Sequence, residues 1–257
     1  MKIKMLKTIV ALILMQCYAI TYAHPNFSGI IKKNTPLVVS ITVKIKSGAK
    51  KQQKEQLQET LGSYSDLYLD DLTSRGGISK GTGFVIKNDQ KTGLLSLLTS
   101  AHVIRNAKQI KVEFSNGEKM SAELIWTSRR DDVALLEVKN TRLLSSPLKM
   151  SENAVEDGMH VLSISGAFGL GLSSSTGIVA AQGVKLRKGQ KGLLQTDAAI
   201  NRGSSGGPLF DRNGEVLGLI TNIYSSTGAF SGASFALPAK RLLELLDSKG
   251  WSSSNGK

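Results

Sequence analysis

Two six-stranded antiparallel β-barrels followed by a short C-terminal helix, an all-β architecture, are what this sequence predicts. Three observations carry that expectation. Short apolar runs rich in Val, Ile and Leu recur along the chain from Leu37 onward. Turn pairs such as Asn116-Gly117 and Asn213-Gly214 stand between them, which is how antiparallel strands are joined. The runs also fall into two sets, separated by Asn140–Asn153, a Ser-rich and weakly periodic stretch that reads as the connection between two halves.

The first set comprises Leu37–Ile45, Gly83–Lys87, Leu94–Thr99, Gln109–Phe114, Ser121–Trp126 and Asp132–Val138. The second comprises His160–Ser165, Thr176–Ala181, Gly192–Thr196, Pro208–Phe210, Glu215–Asn222 and Ala233–Leu237. Between the first two runs, Lys50–Tyr64 is charged and Gln-rich, with Leu57 and Leu61 four residues apart, and suits a short exposed helix in a long insertion. Ala239–Ser248 carries Leu242, Leu243, Leu245 and Leu246 among charged residues, the density expected of a helix packed on a barrel. One unit therefore spans 24–250, with an N-terminal barrel over about 36–140, a C-terminal barrel over about 154–238, and a polar tail at 251–257.

At the N-terminus, Lys2, Lys4 and Lys7 precede an apolar run from Ile9 to Ile20, and Thr21-Tyr22-Ala23 offers small residues for signal-peptidase cleavage. Residues 1–23 read as a secretory signal; the run is short for a bilayer span, which needs about 20 residues, so no membrane span is expected after its removal. Cleavage takes three of the 33 Lys and Arg and none of the 20 Asp and Glu, so the formal charge falls from +13 to +10. The remaining excess has no Lys/Arg block beside aromatics, and nucleic acid is not an expected partner. The one cysteine, Cys17, lies in the signal, which excludes disulfides and thiolate chemistry in the mature chain. Three histidines, His24, His102 and His160, show no metal-ligand spacing, so neither a metal nor another cofactor is expected.

The densest chemical signal is Gly203-Ser204-Ser205-Gly206-Gly207-Pro208-Leu209. A Gly/Ser cluster is commonly a plain flexible turn, but acyl transfer needs a serine on just such a turn, with backbone N–H groups free to meet a developing oxyanion. Ser205 is the candidate nucleophile, with the N–H groups of Gly203 and Ser205 as oxyanion donors. A serine hydroxyl needs a base, and His102 sits where an apolar strand runs into small residues, Leu98-Thr99-Ser100-Ala101-His102. The imidazole in turn needs a carboxylate. In Arg130-Asp131-Asp132-Val133, Asp132 leads into a strand and is the better candidate, whereas Asp131 reads as a solvated turn residue.

The chain order His102, Asp132, Ser205 is that of chymotrypsin. Over most of residues 36–240 the chain resembles the trypsin-like HtrA/DegP family of bacterial envelope proteases, in Gly81-Thr82-Gly83-Phe84-Val85-Ile86, Thr99-Ser100-Ala101-His102-Val103 and Asp132-Val133-Ala134-Leu135-Leu136. The second half is similar through Gly166–Leu170, Thr176–Val179, Gln195–Asn201 and Ser234–Pro238. Departures are Gly166-Ala167 where Asn-Pro is more usual, Ser204 where Asn is frequent, and Arg202 where Pro is often found.

The resemblance implies the chymotrypsin fold, an exported or periplasmic serine endopeptidase, and unfolded or exposed polypeptides as substrates. It leaves open a homotrimer formed through the protease unit. Members often carry PDZ domains after that unit; none is expected in the short helix and tail here. Trypsin-like enzymes that cut after Lys or Arg have an aspartate six positions before the nucleophile, where this chain has Ala199. Ala199, Ile200 and a wall beginning at Leu219 make an apolar specificity pocket suited to small aliphatic residues. The alternative is a chaperone or binding protein with little turnover on a protease fold.

Overall fold

Antiparallel strand pairing closes both halves into barrels. A computed structural model describes residues 25–46, 77–139, 145–186, 190–223 and 231–251, with only the backbone at 168, 222 and 223. The signal at 1–23, the helix expected at Lys50–Tyr64 and most of the polar tail lie outside the described residues. The strands of the first barrel are β1 (Val38–Ile45), β2 (Ile78–Asp89), β3 (Leu94–Thr99), β4 (Ala107–Glu113), β5 (Lys119–Ser128) and β6 (Val133–Lys139). Those of the second are β7 (His160–Ser165), β8 (Ser173–Val184), β9 (Leu193–Thr196), β10 (Pro208–Phe210), β11 (Val216–Ile223) and β12 (Ser234–Pro238). Spatial orders β1-β2-β3-β6-β5-β4 and β10-β11-β12-β9-β8-β7 close the two barrels with antiparallel pairs throughout, as expected.

Two strands outrun their apolar runs. β2 and β8 have 12 residues each, because each changes partner at a barrel corner. β2 pairs β1 through Ile78–Phe84 and β3 through Gly83–Asp89, bending at an irregularity between Val85 and Lys87. Ladder hydrogen bonds continue through its polar ends, where hydrophobic alternation gives no sign of a strand.

A helix that sequence reasoning did not anticipate, α1 (Ser28–Asn34), precedes the first barrel. Its seven residues are too few to show a period. Although it leads into β1, it docks on the second barrel: Asn34 Nδ2 donates to the Gly214 carbonyl at 2.9 Å. The C-terminal helix, α2 (Ala239–Asp247), buries Ala239, Leu242 and Leu246 and packs against β11 and β12. Full burial of such a leucine is worth roughly 1.5–3 kcal/mol.

The two barrels share an apolar cluster. Phe84, Leu97 and Leu135 of the first and Leu162, Ile164 and Phe210 of the second belong to one buried set. The connection stitches the halves as well: the Leu148 N–H donates to Val85 of β2 at 3.0 Å, and Ser151 and Lys149 exchange bonds with Val216 of β11 at 2.8 Å. Both candidate catalytic segments lie along this seam.

Candidate active site

His102 follows β3 in a run of turns from Ala101 to Asn106. Ser100, two positions before it, anchors the run: its hydroxyl donates to the Ile220 carbonyl of the second barrel at 3.1 Å. Asp132 closes the turn between β5 and β6 with φ at 59°, a left-handed conformation that aspartate tolerates better than most residues but that still costs about 1–3 kcal/mol. That conformation aims a buried carboxylate back at His102. Oδ1 accepts the His102 backbone N–H at 2.9 Å and Oδ2 meets Nδ1 at 2.6 Å. An ionised carboxylate only accepts, so in the neutral imidazole Nδ1 carries the proton and Nε2 keeps a lone pair, as a general base requires.

The neighbouring carboxylate has a different occupation. Asp131 is not the solvated turn residue expected: its side chain is 13% exposed and accepts Arg241 Nε of α2 at 3.0 Å and the Ser128 hydroxyl at 2.8 Å. Burial pushes its carboxyl up, but the bonds from Arg241 and Ser128, with the charges of Arg241 and Arg130, more than offset this and hold it below its ordinary value. The clamp joins the turn carrying Asp132 to a helix of the opposite barrel.

Ser205 lies on a tight turn against the first barrel. Gly203 and Gly206 have φ of 94° and 86°, and at Gly206 a Cβ would run into the Thr82 carbonyl and the Thr99 hydroxyl. Thr82 of β2 fixes this turn. Its N–H donates to the Ser205 carbonyl at 2.9 Å, and its hydroxyl donates to the Gly203 carbonyl at 2.7 Å while accepting the Gly166 N–H at 2.9 Å. The N–H groups of Ser204, Gly206 and Gly207 are taken by backbone carbonyls. Those of Gly203 and Ser205 donate to no backbone carbonyl among the described residues, so they stand available to an oxyanion. The Ser205 hydroxyl rests toward the Thr221 carbonyl at 3.4 Å and, among the described residues, makes no hydrogen bond to His102.

Ser204 is fully buried and bonded to the Ser165 hydroxyl at 2.9 Å, so it shapes the turn from beneath. Of the residues expected in the specificity pocket, Ala199 is exposed, whereas Ile200 and Leu219 are packed in the core at 2% and 0% exposure. Leu219 is paired with Pro208 and Leu237 inside the barrel. A cavity of about 730 Å³ beside Met159 and His160 includes none of the triad candidates.

Sequence reasoning missed the roles of Thr82, Ser100 and Arg241. Thr82 stood in a glycine-flanked segment noted only for resemblance, and its acceptor on Gly203 lies 121 positions away. The paired glycines around it were the available signal of a close backbone approach.

Residues 81–219, more than half of the chain, match the trypsin-like peptidase domain. Proteins named probable periplasmic serine endoprotease DegP-like are 39% identical over 182 residues in Pseudomonas fulva, covering 67% of this chain and 37% of that protein. In Pseudomonas putida (strain W619) one is 33% identical over 251 residues, covering 89% of this chain and 51% of that protein. The chain thus spans about half or less of the length of these relatives. Among solved structures, the HtrA-type protease AlgW with a tripeptide superposes with a TM-score of 0.69 at 27% identity, covering 87% of this chain and 63% of that one. The serine endoprotease from Yersinia pestis superposes with a TM-score of 0.64 at 25% identity, covering 88% and 67%. The chain belongs to the trypsin-like peptidase family.

Proposed function

We propose that this protein is an exported, periplasmic serine endopeptidase that hydrolyses unfolded or exposed polypeptides with His102, Asp132 and Ser205. The observation that carries this reading is the two-point grip of Asp132 on His102, at 2.9 and 2.6 Å, beside a serine turn with two N–H groups that donate to no backbone carbonyl among the described residues.

The Ser205 hydroxyl turns from Thr221 toward His102, and its oxygen attacks the substrate carbonyl carbon as Nε2 takes the proton. The oxyanion so formed accepts the N–H groups of Gly203 and Ser205. The tetrahedral adduct collapses with cleavage of the C–N bond, and His102 passes its proton to the departing amine. Water, deprotonated by His102, then releases the acyl group and restores Ser205. Asp132 stays ionised and stabilises the imidazolium.

Cleavage after small aliphatic residues is the reading that Ala199 supports: with no carboxylate six positions before Ser205, a Lys or Arg entering there would meet no partner. Export is supported by the signal pattern at 1–23 and by the periplasmic names of the relatives. No helix among the described residues is long and apolar enough to cross a membrane.

Incubation of the purified mature protein with unfolded casein tests the reading. Fragments ending in Val, Ala or Leu are expected, and none from Ser205→Ala. Undiminished cleavage by that variant would overturn the triad, and ends dominated by Lys or Arg would overturn the pocket.

A further inference from the structure

The acyl-transfer site makes no use of the chain's positive charge, yet some of that charge is gathered next to it. A cavity of about 550 Å³ opens between the end of β1, the turns after β3, and strands β4 and β5. Lys46, Arg105, Lys108 and Arg129 line it, all exposed. Among the described residues none of the four is paired with a carboxylate, whereas Lys119, Lys149 and Arg241 elsewhere on the surface each are. The one carboxylate that lines the cavity among the described residues, Asp132, has both oxygens engaged by His102. Among the described residues, four cations thus face a common space without a free counter-charge.

The cavity also has an apolar side and a fixed frame. Buried Ile104 and Leu124, which is 44% exposed, stand between the cations. The Lys46 N–H donates to the Asn106 carbonyl at 3.0 Å, with Asn106 in a left-handed conformation at φ 56°, so the end of β1 is tied to the turn after His102. Ala101 and Asp132 form part of the wall, which brings the cavity to the residues that adjoin and hold the base.

We infer that this cavity is a substrate subsite for acidic segments: it takes a stretch of polypeptide in which Asp or Glu flank an apolar side chain, within a few residues of the bond to be cut. Carboxylates would meet the four cations, and the apolar side chain would cover Ile104 and Leu124. Nucleic acid fits this surface less well, because no aromatic side chain among the described residues lines the cavity to stack a base and a sugar-phosphate backbone would leave Leu124 uncovered. The inference rests on the proteolytic reading of the neighbouring site and names the substrate class that site would favour.

Binding and cleavage are measured separately so that the two readings can fail apart. Two fluorescein-labelled peptides of equal length are used, one carrying Asp and Glu around a leucine and one with Asn and Gln in their place. The Ser205→Ala protein should bind the acidic peptide about tenfold more tightly at low salt, with the ratio shrinking as salt screens the contacts. Combined Arg105→Gln, Lys108→Gln and Arg129→Gln substitution should bring the ratio near one. Arg129→Gln alone, at an exposed side chain, should lower it in part and guards against misfolding of the triple variant. Lys249→Gln, which removes an exposed charge elsewhere, should leave it intact. Equal affinity for the two peptides, a preference that survives the triple substitution, or tighter binding of a single-stranded oligonucleotide of matched charge would each overturn the subsite. Retention of the acidic preference with no cleavage of either peptide by the unsubstituted protein would instead reject the triad and leave the subsite standing.

Discussion

The turn that carries Asp132 and the turn that carries Ser205 reach the same seam by different physics. Both use left-handed backbone, at Asp132 in one and at Gly203 and Gly206 in the other. The base side is held by charge: Asp132 on His102, and Asp131 on Arg241 with Glu244 behind it at 3.0 Å. The nucleophile side is held by neutral groups, the Thr82 backbone and hydroxyl, the Ser165–Ser204 pair and the Ile220 carbonyl. A charged clamp responds to protons and salt, whereas hydroxyl and amide bonds respond to neither in the ordinary range. Through Asp131 the base side should therefore set the acid limit of the protein, and the nucleophile side should tolerate pH but not loss of a hydroxyl.

The largest expected break is in the triad itself. Ser205→Ala or His102→Ala should each reduce the rate by about 10⁴–10⁶-fold with the fold intact, and Asp132→Asn by about 10⁴-fold. Asp131→Asn should cost far less, because it leaves the contact with His102 in place. A larger loss from Asp131→Asn in steady-state peptide cleavage would transfer the orienting role.

Next is Thr82→Val, which keeps the shape but strips the hydroxyl from the Gly203 carbonyl and the Gly166 N–H. A displaced oxyanion turn should lower kcat by about tenfold to a hundredfold, and Thr82→Ser should restore most of it. Equal kcat for the valine and serine variants would show that the backbone bonds of Thr82 suffice.

Acid stability separates the two turns more finely. The folded Asp131 carboxyl titrates below its unfolded value of about 3.9, so its stabilisation is fully present above that value and is lost as pH falls through the lower, folded one. Asp131→Asn should thus flatten the acid limb of the unfolding curve, whereas Ser204→Ala should shift the whole curve by about 1 kcal/mol without changing its slope. Urea titrations between about pH 2 and 7 read both; parallel curves for Asp131→Asn and the unsubstituted protein would contradict the charged clamp.

How far the sequence could be read follows the same division. Strands and triad candidates are written locally: apolar runs such as Leu94–Thr99 and Val133–Val138 mark their own strands, and Gly203–Gly207 marks its own turn. What escaped was relational. Asp131 looks solvated until Arg241, 110 positions on, is placed beside it. The polar ends of β2 carry no alternation, yet they are strand because β1 and β3 offer partners. Leu219 reads as a pocket wall because its residue type suits one, but its ladder position between Pro208 and Leu237 turns it inward.

The central claim is that Ser205 becomes a nucleophile only through His102. Labelling of the mature protein with a fluorophosphonate, followed by peptide mass spectrometry, reads this directly: fluoride leaves and a phosphonyl–oxygen bond forms at the activated serine. One adduct on Ser205 is expected, absent from Ser205→Ala and strongly slowed in His102→Ala. An adduct on another serine, or undiminished labelling of the His102→Ala protein, would contradict the account.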